Sequence, residues 1–402
     1  MPRSIVAPFL YAVALPAVLA ACGYVEIAPY GTSGGSGGGA AGAGSGGGAA
    51  GAGSGGGAAV TGTGGAGAGG EDASSTGSTS TSTGPAPAPS CAAAECAVRI
   101  AEGTPNCAIT ASGKVFCWWR GVFRQERLAG PVERPGLGDV VAASNHLMHM
   151  CFLHADGRVS CQGSDINGPL LLGSIPEEEI SEVPVVLPEL EGVVQLSVGH
   201  EHACGVLGSG NVLCWGDPFS PLLGVEGAGR MEAPVPVTVT GVDDAVQVGA
   251  SLTHTCALRG TGDVVCWGRL TTGETTDTAV RVEGVEGAVE IAAGWSNDCA
   301  RLATGKVVCW GSDGSSSHAE PVEVPGLDDA IQVSAGYYRY CALRQGGRVV
   351  CWRFSARMTL EAIDIPEAVH VTAGYKEACA ALASGEVACW PTSNRDVYVF
   401  GL

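Results

Sequence analysis

From about residue 95 onward, apolar and polar positions alternate with a period of two in short runs. Ala288-Val289-Glu290-Ile291-Ala292-Ala293-Gly294 and Ala330-Ile331-Gln332-Val333-Ser334-Ala335-Gly336 are two of them. Each run precedes a pair of cysteines, and another run follows the pair, as in Pro321-Val322-Glu323-Val324-Pro325-Gly326-Leu327. A period of two predicts half-buried strands, and no stretch of this region has a convincing helical period. The cysteine pairs are Cys107 and Cys117, Cys151 and Cys161, Cys204 and Cys214, Cys256 and Cys266, Cys299 and Cys309, Cys341 and Cys351, and Cys379 and Cys389. Each has a spacing of ten, and their first members lie 44, 53, 52, 43, 42 and 38 residues apart. A period in the forties marks a repeat architecture.

The interior of each pair explains the spacing. Six residues after the first cysteine stands a glycine: Gly113, Gly157, Gly210, Gly262, Gly305, Gly347 and Gly385. Eight residues after it stands a valine, from Val115 to Val387. A three-residue hairpin loop takes a left-handed glycine at its last position. That register sets the two cysteines directly opposite on neighbouring strands, close enough to bridge. With a strand on either side of the hairpin, each repeat has four strands. The chain ends in Asp396-Val397-Tyr398-Val399-Phe400-Gly401-Leu402, a copy of the last strand. The expected fold is all-β: a seven-bladed β-propeller with four-stranded blades and a disulfide in each.

The first 90 residues read differently. Arg3 precedes an apolar run from Ile5 to Ala21, broken by Pro8 and Pro16, which reads as an export signal rather than a membrane span. It ends in Leu19-Ala20-Ala21-Cys22-Gly23, which resembles the lipobox of bacterial lipoproteins. The resemblance implies cleavage after a signal peptide at 1–21 and acylation of Cys22. Gly23 is not the aspartate of inner-membrane retention, so the implied destination is the outer membrane or cell surface. An ordinary secretory signal with a chance cysteine is the alternative. Residues 22–90 are expected to be a disordered linker, since 31–84 are almost wholly Gly, Ala, Ser and Thr with a nine-residue repeat at Ser36, Ser45 and Ser54. As a flexible coil it would span about 45 Å root-mean-square. Pro85 to Pro89 stiffen its end, and the folded unit is assigned to 91–402.

Charge and cysteine content narrow the function. The formal charge is −19, and beyond residue 90 the chain carries 37 acids against 20 bases. Such a surface repels phosphate backbones and anionic lipid, so nucleic acid is excluded as a partner and the membrane is reached only through the anchor. Seventeen cysteines are present. Beside Cys22 and the seven pairs there remain Cys91 and Cys96, close enough in sequence to pair. Export favours disulfides, each worth at most about 3 kcal/mol for such a short loop. Zinc is the rival reading, but histidines do not recur at ligand spacing.

The units Gly294-Trp295-Ser296-Asn297-Asp298-Cys299-Ala300 and Val307-Val308-Cys309-Trp310-Gly311 resemble the repeat of the regulator-of-chromosome-condensation propellers, over about residues 95–402. That family's founder is an exchange factor for a small GTPase and binds chromatin. This chain has no identifiable wedge insertion and no basic tail, and an export signal would part it from a cytosolic GTPase. Secreted bacterial members that inhibit β-lactamases by binding them are a nearer analogue. The paired cysteines depart from the family's general pattern.

Catalytic patterns are scarce: there is no phosphate loop, dinucleotide fingerprint or HExxH. Gly31-Thr32-Ser33-Gly34-Gly35 matches a nucleophile elbow but lies in structureless repeat. No enzyme, cofactor or metal is expected. His202, like His149 and His254, stands two residues before a cysteine, which predicts hydrogen bonding within the blade. Six tryptophans follow the second cysteine (Trp118, Trp215, Trp267, Trp310, Trp352 and Trp390) and are read as packing, while Gln162 replaces the tryptophan in the second repeat. Four residues before the first cysteine the chain reads Gly103, Leu147, His200, Leu252, Trp295, Tyr337 and Tyr375, with Tyr338 and Tyr340 nearby. These fall in the turn between the first two strands of each blade, near the central channel. His200, Trp295, Tyr337, Tyr338 and Tyr375 are the candidate binding residues for an extracytoplasmic protein or polysaccharide. The alternative is that they seal blade-to-blade contacts. The expected protein is a lipid-anchored binding module, an inhibitor of an extracytoplasmic enzyme being one case. A structural surface component without a ligand is the other reading.

Overall fold

The computed structural model describes residues 95–402 apart from 104–105, 121–125, 147–148, 164–180, 218–220, 227–235, 271, 313–316, 338, 356 and 393–395. The export signal, Cys22, the linker and Cys91 lie outside the described residues. The strands form seven antiparallel blades, spanning 97–133, 140–186, 193–238, 245–281, 288–323, 330–362 and 368–400. Blade 3 is representative: Val193–Val198, His202–Leu207, Val212–Gly216 and Val237–Thr238 pair in chain order. Among the described residues the one helical element is a 3-10 turn at Pro221–Leu223, and no helix is long and apolar enough to cross a membrane.

The hairpin register is the one the cysteine spacing demands. Cys204 faces Cys214, Gly205 faces Leu213 and Val206 faces Val212, and the other six blades repeat the pairing. Each facing pair is bridged. Cys107 is joined to Cys117, Cys151 to Cys161, Cys204 to Cys214 and Cys256 to Cys266. Cys299 is joined to Cys309, Cys341 to Cys351 and Cys379 to Cys389. The bridged Cα atoms lie 4.0–4.1 Å apart in all seven blades. Cys96 is also disulfide-bonded. The seven loop glycines have φ between +78° and +90°. They have a second task as well. A Cβ on Gly210 would come 2.6 Å from the Asp243 carbonyl oxygen, on the approach to the next blade.

This close approach builds the ring. The carbonyl of each loop glycine accepts a hydrogen bond from the first amide of the next blade's inner strand, as from Ala245 N–H to Gly210 at 2.9 Å. Blade 7 closes on blade 1 by the same bond, from Ala97 N–H to Gly385 at 3.1 Å. Blade 1 and blade 7 are each built from one end of the described chain, with no strand exchanged between them. Closure therefore rests on side-face packing of Ala97, Ile100 and Trp118 against Ala381, Val387 and the Cys379–Cys389 bridge. Burial of apolar surface across the seams supplies the drive.

Side chains add further stitches. Gln195, Gln247 and Gln332 each clamp the next inner strand by accepting from its amide and donating to its carbonyl, at Val248, Ile291 and Val371, with distances of 2.8–3.0 Å. Glu290 holds the corresponding place between blades 5 and 6, accepting from Val333 N–H at 3.2 Å. The six repeated tryptophans are buried between blades, and Gln162 is buried in their stead in blade 2. A short strand, Glu102–Gly103, runs parallel to the inner edge of blade 2 and faces the channel.

Candidate functional site

The turns between first and second strands gather at one end of the channel. Trp295, Tyr337 and Tyr375, from blades 5, 6 and 7, form an arc around its mouth. Trp295 and Tyr337 meet edge-to-face with centroids 3.6 Å apart, and Tyr337 and Tyr375 do so at 4.8 Å. Trp295 and Tyr337 are half-buried, and Tyr375 is exposed at 39%. The trio therefore bridges blade seams and presents ring surface to solvent. His200 is not brought together with the arc at the mouth; it is half-buried in blade 3 and edge-to-face at 5.0 Å with His146, which does line the mouth. Leu252 completes the apolar lining. Leu147 and Tyr338 lie outside the described residues.

Two expectations need correction. Tyr340 is not part of this face. It is fully buried, stacked on Trp352 and bonded through its hydroxyl to Asn297 of the neighbouring blade. Its place one residue before Cys341 puts it inside the strand, where both blade faces are covered. The repeated histidines bond between blades, and His254 within its own blade as well. His149 Nε2 meets the His200 carbonyl at 3.2 Å, His202 Nε2 meets Thr255 Oγ1 at 2.7 Å, and His254 Nε2 meets Asp298 Oδ2 at 2.6 Å. The partner stands one residue before the next blade's cysteine in two of these three, and Asn297 with Tyr340 follows the same rule. Polar residues recurring just before the cysteines were the signal for this seam.

His254 is the centre of a chain that invites a catalytic reading. Ser251 Oγ lies 3.1 Å from His254 Nδ1, and Asp298 lies on the ring's other nitrogen, in nucleophile, base and acid order. The serine hydroxyl, however, donates to the His254 carbonyl at 2.7 Å and accepts from the His254 amide at 3.1 Å. Ser251 is also 4% exposed, so it caps the turn instead of facing a substrate. The cluster of His254, Asp298 and Cys256 likewise lacks a thiolate, because Cys256 is bridged to Cys266.

Burial sets the charge state around the mouth. It holds His146 and His202 neutral, with pKa values lowered to about 3, the neighbouring histidines adding to the effect. In the channel, Glu290 is raised to about 7 by burial, against the pull of Arg301, whose Nε lies 2.7 Å away. Glu102 is raised by burial too, against Arg99.

Three segments, 193–220, 245–269 and 330–352, match the Regulator of chromosome condensation (RCC1) repeat. These lie in blades 3, 4 and 6, and each match contains both paired cysteines of its blade. Protein pim1 of Schizosaccharomyces pombe is 26% identical over 196 residues, covering 42% of this chain and 36% of that protein. The chain thus spans about a third of that relative's length. Among solved structures, human WBSCR16 is similar with a TM-score of 0.59 at 19% identity, over 70% of this chain and 85% of that one. Prp20p of Saccharomyces cerevisiae is similar with a TM-score of 0.57 at 18% identity, over 69% and 80%. At such identity these likenesses speak for the fold alone. The matched repeats and the ring of seven blades fit the chromosome-condensation-regulator repeat family.

Proposed function

We propose that this chain is a protein-binding propeller that engages its partner through the channel mouth. The observation that carries this reading is the arc of Trp295, Tyr337 and Tyr375, which crosses three blades and keeps ring surface open to solvent. Aromatic groups on loops of a rigid scaffold have the features of binding hot spots. Prp20p, with the same fold, is described as binding Gsp1p and histones, which supports a protein partner for this chain.

Location forms the second half of the proposal. The chain is exported, acylated at Cys22 and held off the membrane by residues 22–90, at the outer membrane or cell surface. Support comes from the lipobox-like end of the apolar run and from seven disulfides, which persist in oxidising compartments. Inhibition of an extracytoplasmic enzyme is one form the binding would take. A ligand-free structural role is favoured by one observation only, the edge-to-face packing of the trio across the seams.

The test is capture from envelope extract by the immobilised full chain, against a variant with Trp295, Tyr337 and Tyr375 all changed to alanine. A partner kept by the first and lost by the second supports the reading. Equal capture by both, or none, overturns it. For the anchor, labelled fatty acid is expected in the wild type and absent from Cys22→Ser; label in both would remove Cys22 as its site.

A further inference from the structure

The mouth and the channel below it are one continuous space, since Gly103, Val198, Ala250, Ala293 and Ala335 line both. Around the rim, the aromatic arc of blades 5–7 ends at Gly103, on the strand beside blade 2. No side chain fits at Gly103: its φ is +89°, and a Cβ would fall 1.9 Å from the Asn145 carbonyl oxygen. Gly103 thus lies tight against the Asn145 backbone while lining both spaces, and Glu102, the residue before it on the same strand, lines the channel below.

Two carboxylates line the channel, and they differ. Glu290 is committed to Arg301 and to Val333 N–H. Glu102 has no hydrogen bond or ion pair among the described residues, Arg99 acting on it only at longer range. It lines the channel space, its surface open to the channel while the surrounding blades screen it from bulk water.

The polar groups of the rim are otherwise engaged. Asn145 Nδ2 donates to Asn106 Oδ1 at 2.7 Å, and Ser251 caps its turn. A sugar needs several free donors and acceptors, and these two groups are already committed. An apolar plug would seal Glu102 away from water unpaired, at a cost in desolvation. Aromatic rings at the mouth of a channel lined by two carboxylates, one of them committed to Arg301, match an organic cation instead. Tyr375 already shows this affinity within the chain, with Lys376 Nζ 5.7 Å from its ring centroid.

Resting on the binding face proposed above, we infer that the mouth takes up one lysine side chain of the partner protein, its stem against Trp295, Tyr337 and Leu252 and its ammonium directed to Glu102. A lysine fits better than an arginine, because a single carboxylate below the rings offers a point charge and not a set of planar acceptors.

The experiment uses the full chain and Nα-acetyl-lysine-N-methylamide as probe, with the norleucine analogue as its neutral counterpart. The readout is Trp295 emission, taken as the difference between wild type and Trp295→Phe. A saturable change is expected, at least ~10-fold tighter for lysine than for norleucine, as one charged contact implies. It should weaken at least ~5-fold in Glu102→Gln and at raised salt. Equal response to both probes, no response, or indifference to Glu102→Gln at an unchanged unfolding midpoint overturns the inference. Envelope capture separates it from the reading beneath. A partner lost by the triple aromatic variant yet kept fully by Glu102→Gln overturns the lysine site and leaves the binding face standing. Capture indifferent to both variants overturns the two together.

Discussion

At the hairpin end of the propeller, all seven blades carry a left-handed glycine whose carbonyl is bonded to the next blade. At the mouth end, the same repeat carries Gly103, His200, Leu252, Trp295, Tyr337 and Tyr375 at one position. The hairpin end uses backbone groups and a conformation only glycine adopts cheaply, so any other residue there is costly. Apart from Gly103, the mouth turns make no such demand, and their side chains are free to differ. Uniformity marks where the ring is held together, and variety marks where a partner can be chosen.

Seams at the mouth, and the deeper one where blade 7 meets blade 1, depend on neutral histidines, and acid is the strongest way to break them. His146, His202 and His370 are all held near pKa 3 by burial, against the usual 6.5. They protonate far more readily in the unfolded chain, so stability is full above pH 6.5 and falls as pH drops toward 3. The slope is about 1.4 kcal/mol per pH unit for each histidine that stays neutral. Denaturant midpoints between pH 7 and 4 should show it, with amide protection lost first at the mouth. A flat profile would contradict neutral burial.

At the hairpin end, Gly210→Ala combines strain at φ +90° with a Cβ 2.6 Å from the Asp243 carbonyl oxygen. A loss of about 2–4 kcal/mol is expected in chemical unfolding. Replacing Cys256 and Cys266 together by alanine should cost at most about 3 kcal/mol. If neither change lowers stability, the hairpin end is not what holds the ring.

Glu290 has the opposite sign to the histidines. With its pKa raised to about 7 from the usual 4.5, its contribution is full below about pH 4.5 and is lost as pH rises through 7. Glu290→Gln, the residue used at three other seams, should raise stability at pH 8 by up to about 3 kcal/mol. No gain would mean that Arg301 fully compensates the buried carboxylate.

The smallest effect is expected at the mouth. Tyr375 is exposed, so Tyr375→Ala should change stability by about 1 kcal/mol or less while weakening partner capture. A large drop in the unfolding midpoint would make the arc a seam and erase the contrast between the two ends.

Much of this was legible without coordinates. Spacing within each cysteine pair, from Cys107 and Cys117 to Cys379 and Cys389, implied the hairpin, its register, the glycine conformation and the bridge. All of these are local to about ten residues. The repeat of that unit implied seven blades and the burial of the following tryptophans. Trp295, Tyr337 and Tyr375 were legible as one position in one turn for the same reason. Tyr340 was misread because proximity in sequence does not tell a turn from the strand after it. The histidines' bonds across the seams were missed because those partners lie in the next blade, 51, 53 and 44 residues away, while the within-blade bond of His254 was legible.

The sequence by itself determined the blade, since a hairpin's register and loop conformation depend on residues that are neighbours along the chain. Only the tertiary structure decided how blades meet. Closure through Ala97 and Gly385, the glutamine clamps and the placement of Glu102 in the channel all depend on what a neighbouring blade presents. Those choices are made between residues far apart in sequence, and packing rather than local conformation selects among them.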